Sequence, residues 1–165
     1  MNIMHPDTQN AFLSVLEKKL KELTLETSML PNEGPPQVGD TLRFLLPFDE
    51  GEHCYVVTVS VFNMNDEAVL LEFYTVLLTD MGDTLPALRS ELISWNYYCP
   101  LGSFGVYERE RQLYHKHGVV LYEDDYQDLD ALAEYGTALV ALLYQTVTEK
   151  FAPAMELLQG KASCF

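Results

Sequence analysis

The stretch "YVVTVSVFNMNDEAVLLEFYTVLL", residues 55–78, decides the fold. In its first half Tyr55, Val57, Val59 and Val61 fall on one face, with Val56, Thr58, Ser60 and Phe62 on the other. A period of two is that of a β-strand. "NMNDE" then supplies a turn, and "AVLLEFYTVLL" resumes the alternation, so the stretch is an antiparallel hairpin. The returning strand is apolar on both sides: Val69, Leu71 and Phe73 on one, Leu70, Tyr74 and Val76 on the other. Such a strand is covered on both faces or leaves one adhesive.

Outward from the hairpin, "TLRFLLPF" (41–48) reads as a preceding strand, and "LPNEGPPQVGD" (30–40), with three prolines and two glycines, as a connector. Before it, Phe12, Leu13, Leu16, Leu20 and Leu23 recur at helical spacing behind Pro6, Asp7 and Thr8. After the hairpin, Asp83, Thr84 and Pro86 open a second helix lined by Leu85, Leu88, Leu92 and Trp95, which Pro100 and Gly102 stop. "SFGVYE" and "QLYHKHGVVLYED" follow as two strands. Asp124, Asp125, Asp128 and Asp130 then lead a long helix through Leu132, Leu139, Leu143 and Val147, ended or kinked at Pro153. Residues 1–165 therefore predict one α+β domain: a five-stranded antiparallel sheet with helices packed on it, in the order α-β-β-β-α-β-β-α.

Net charge is −15, from 25 acidic against 10 basic residues, which disfavours nucleic acid and anionic membranes as partners. No window approaches the ~18 apolar residues that span a bilayer, and "MNIMHPDTQN" has no basic or apolar signal character. The three cysteines, Cys54, Cys99 and Cys164, are too scattered for a disulfide framework or a zinc pattern. Reduced thiols in the cytoplasm are the expectation.

The element order, the pair Trp95–Asn96 closing the middle helix, and a long last helix running into "FAPAMELLQG" together resemble the bacterial type III secretion chaperone fold, and more closely its YbjN-like branch. The resemblance covers roughly residues 8–160 and implies a small, acidic, cytoplasmic, commonly dimeric protein that binds other polypeptides without catalysis or cofactor. The tyrosine-rich end of the middle helix and the proline-rich connector depart from that pattern.

Candidate sites follow. If helices occupy one face of the sheet, Val56, Phe62, Leu70, Tyr74 and Val76 need cover from a homodimer mate or a client polypeptide. A patch of ~400 Å² at ~25 cal/mol per Å² gains on the order of 10 kcal/mol before the costs of association. Trp95 and Asn96 read as a structural joint, the tryptophan buried and the amide tying down the following loop. His115 and His117 share a strand face, the spacing of two metal ligands, although exposed histidines beside a hairpin are the plainer expectation. Trp95, Tyr97 and Tyr98 offer an alternative, a small-molecule pocket of a regulatory domain. His53 and Cys54 are neighbours on opposite faces and form no catalytic pair. "EDDYQDLD" (123–130) lacks the pattern of a calcium loop and reads as a capping acidic turn.

Overall fold

A computed structural model of the chain describes residues 4–159. Its elements run α1 (Pro6–Glu22), β1 (Thr27–Leu30), β2 (Thr41–Phe48), β3 (His53–Asn63), β4 (Val69–Leu78), α2 (Leu85–Tyr98), β5 (Ser103–Tyr107), β6 (Gln112–Leu121) and α3 (Leu129–Leu158). The sheet is antiparallel throughout, with strand order β1-β2-β3-β4-β6-β5.

The α+β class and the antiparallel sheet agree with the sequence; the strand count does not. Six strands form, not five. The extra one, β1, has four residues and pairs Thr27 with Phe44 and Leu30 with Thr41. Four residues are too few to display a period, and this strand exists because β2 offers it a ladder.

One row across the sheet shows which face is the core. Thr27, Phe44, Val57, Thr75, His115 and Phe104 are successive cross-strand partners, so their side chains share a face. Phe44, Val57, Thr75, His115 and Phe104 are all buried. The helices cover this face. Tyr55, on the same side, reaches α3 through its hydroxyl at 3.4 Å from Thr148 Oγ1, and Trp95 of α2 packs edge-on against Phe104 at 5.7 Å. α1 and α3 meet at Gly136, where a Cβ would lie 3.3 Å from Leu16 Cδ1. The missing side chain permits that close approach, offsetting the ~1 kcal/mol helical cost of glycine.

α1 is capped by His5, whose Nδ1 accepts from the Asp7 amide, with Pro6 in the first turn. α3 is capped by Asp128, whose carboxylate accepts from Ala131 N at 3.0 Å, so the acids before it do cap a helix. α3 does not end at Pro153: it continues to Leu158, so "AMELL" (154–158) adds the last helical turns that the sequence offers there. Proline removes one intrahelical hydrogen bond, but buried Ala154 and the edge-on packing of Phe151 on Phe48 (4.4 Å) hold the adjoining turns. No helix among the described residues is long and apolar enough to cross a membrane.

Candidate functional site

The second face of the sheet has no covering layer among the described residues. Val56, Phe62, Leu70, Tyr74 and Val76 all lie on it, and the register groups them: Val56 opposes Val76, and Phe62 opposes Leu70. Phe62 is 38% exposed and the other four are half-buried by their own neighbours. Between the two apolar pairs runs a polar belt of Thr58, Ser60, Glu72 and Lys116, in which Lys116 Nζ pairs with Glu72 Oε2 at 2.9 Å.

Two glycines flatten this surface. A Cβ on Gly118 would meet Leu70 Cδ1 at 2.9 Å, and one on Gly105 would collide with the Tyr114 ring, so Leu70 and Tyr114 lie low over the neighbouring strands. Tyr114 stacks on Tyr74 at 5.0 Å, and the Tyr74 hydroxyl donates to Gln112 Oε1 at 2.6 Å. Burial, with smaller contributions from Tyr114 and neighbouring acidic groups, pushes the Tyr74 phenol up to about 12, so it remains a neutral donor at physiological pH. The result is a flat, half-apolar platform with fixed hydrogen-bonding groups.

At the joint, Trp95 is buried and Asn96 grips the edge strand with both arms of its amide. Nδ2 donates to the Phe104 carbonyl at 2.9 Å, and Oδ1 accepts from Phe104 N at 2.7 Å. Asn96 thus satisfies an outward-facing pair on β5 that would otherwise be open for strand pairing. Tyr97 and Tyr98 instead point outward and contact each other edge-on at 4.8 Å. Trp95, Tyr97 and Tyr98 therefore do not line one pocket, because the tryptophan is buried against the sheet while both tyrosines stand exposed.

The histidines share a face, but not an exposed one. His115 is fully buried and His117 half-buried; β5 pairs outside β6, and the α2–β5 loop folds over His115. Folding also brings Cys99 to His115, a pair that sequence spacing did not suggest. Sγ lies 3.9 Å from Nε2, and both atoms converge on the Leu101 carbonyl, at 3.0 Å from Sγ and 2.5 Å from Nε2. A carbonyl only accepts, so Nε2 carries the proton and offers the thiol no lone pair. The imidazole is in the wrong tautomer to act as a base toward Cys99. Burial holds His115 below the ordinary histidine range, against the Leu101 carbonyl and with a small contribution from His117; burial likewise lowers His117. His115 Nδ1, His117 Nε2 and Thr75 Oγ1 are buried without a hydrogen-bond partner among the described residues.

Asp49, Glu52 and His53 bring ligand atoms within 4.8 Å of one another on an exposed turn, where the His53 ring also stacks on Phe48 at 5.6 Å. Cys54 is exposed beside it, and Cys164 lies outside the described residues. Comparison with protein-family models and with curated proteins finds no match to this chain.

Proposed function

We propose that the chain is a non-catalytic polypeptide-binding module, chaperone-like or regulatory, that holds a partner on the open sheet face and acts as a cytoplasmic homodimer of the YbjN-like, secretion-chaperone-like kind. One observation carries this: the apolar pairs of the second sheet face have no covering layer among the described residues. Val56, Phe62, Leu70, Tyr74 and Val76 lie together on the uncovered side, and a flat platform suits an added layer or an extended segment. A net charge of −15 keeps such a surface soluble and favours a basic partner. The Cys99–His115 geometry supports a non-catalytic role.

The test is capture from the native host, comparing the full chain with Leu70→Glu and Val76→Glu. The native chain retains one polypeptide in stoichiometric amount, and both variants lose it while melting cooperatively. A partner held equally by all three chains contradicts the assignment.

A second reading has its own observation. His115 donates Nε2–H to a backbone carbonyl, as metal-bound histidines usually do through the nitrogen that is not a ligand, and leaves Nδ1 buried without a partner, like His117 Nε2. A metal held through His115 and His117 predicts that zinc shifts the ring-nitrogen resonances of both residues, saturating at one ion per chain. Unshifted resonances remove that alternative.

A further inference from the structure

The charges borne by the sheet run against those of the chain. Of 25 acidic and 10 basic residues, only Arg43, Glu72 and Lys116 lie within strands, and all three share the open face. The sheet thus holds two cations against one carboxylate. Lys116 occupies Glu72, which leaves Arg43 as the charge that the face has not used. Arg43 is exposed, and its Nε donates to Ser28 Oγ at 3.2 Å. Its guanidinium pairs with no carboxylate among the described residues, Glu26 at the foot of β1 included. A guanidinium is a planar fork of donors shaped to receive a carboxylate.

Thr58 stands next to Arg43 across the ladder, half-buried, and adds a hydroxyl donor to the same spot. The spot is framed by apolar ground. Along β3 the open-face residues are Val56, Thr58, Ser60 and Phe62, each about 6.7 Å from the next. Val56 lies between Leu45 and Val76, and Phe62 beside Leu70. An extended polypeptide repeats at the same spacing as the strand beneath it. Its downward side chains, every second residue, fall in turn on Val56, Thr58, Ser60 and Phe62. The matching sequence is apolar, acidic, small polar, apolar. The field of the chain's net charge, which favours a partner that is basic overall, is screened over about 8–10 Å in physiological salt. At contact distance the guanidinium without a carboxylate decides.

We propose that the partner held on the open face presents an extended segment whose alternate residues read apolar, acidic, small polar, apolar, with the acidic side chain seated between Arg43 and Thr58. This rests on the sheet-face reading given above; what is added is the chemistry of the partner and the residue that selects it. The apolar pairs hold such a segment. Arg43 distinguishes it from equally apolar segments that carry an uncharged or basic residue at the same place.

Fluorescence anisotropy with labelled synthetic peptides tests it on the full chain. Each peptide has leucine at both ends of a seven-residue core, serine at the fifth place and glutamate, glutamine or lysine at the third, titrated to about 1 mM. The glutamate peptide binds about 5-fold or more tighter than the glutamine peptide, and the lysine peptide binds weakest. Arg43→Gln removes that preference while leaving the glutamine peptide bound as before, and added salt erodes it progressively. Leu70→Glu weakens all three. Cooperative melting of both variants keeps unfolding out of the result. A lysine peptide that binds tightest overturns the proposal, because net charge then governs the contact. So does a glutamate preference that survives Arg43→Gln. Peptides bound without preference by the native chain and released by Leu70→Glu refute the acidic seat alone. Peptides that the native chain does not bind, or that Leu70→Glu binds equally well, contradict the sheet-face reading itself and the seat with it.

Discussion

The two faces of β4 are nearly matched in composition and opposite in fate. Val69, Leu71, Phe73, Thr75 and Leu77 are buried beneath the helical layer; Leu70, Glu72, Tyr74 and Val76 are left half-covered on the other side. Hydrophobicity alone does not say which face is core. The helices decide it, and they settle where the buried inward row extends across five of the six strands, from Phe44 to Phe104. The open face instead interrupts its apolar pairs with the Glu72–Lys116 belt and flattens itself over Gly105 and Gly118. A covered face is judged by packing density, and an open one by what it can hold.

Truncation on each face breaks the comparison most strongly. Phe73→Ala removes a buried ring and costs about 3–5 kcal/mol in urea unfolding, whereas Val76→Ala costs at most about 1 kcal/mol. Equal costs would make the open face a second core. Next comes the edge. Asn96→Ala frees both backbone groups of Phe104 and costs about 1–2 kcal/mol, with concentration-dependent aggregation through β5 as its second signature in light scattering.

The smallest effect concerns protons on the covered face. His115 and His117 are held below the ordinary histidine range in the folded chain, so the unfolded chain takes up their protons first as pH falls. Their contribution to stability is fully present above about pH 6.5 and is lost as pH falls below it toward the folded values, at no more than about 1.4 kcal/mol per pH unit for each group. His115→Gln therefore flattens the decline in unfolding free energy between about pH 7 and pH 5. An unchanged decline removes His115 from the account.

What was legible in the sequence was local. The period of two in residues 55–78 marks both strands of the hairpin and both faces correctly, and the Leu88–Trp95 stripe marks the buried side of α2. What was hidden depends on pairing or on distance along the chain. β1 has no pattern apart from β2. Cys99 and His115 are brought together by a loop whose course no period encodes, and the burial of His115 follows from β5 lying outside β6. The tyrosine pair at the end of α2 stood out by composition, but its outward direction required the helix register to be seen against Trp95.

The most direct test of the central claim is photo-cross-linking in the native host, with a benzophenone side chain replacing Leu70 on the open face and, separately, the exposed Ser14 of α1. The account predicts that position 70 yields an adduct with one other polypeptide and that position 14 does not. An absence of any adduct from position 70, in a chain that still melts cooperatively, would contradict the open face as a binding surface.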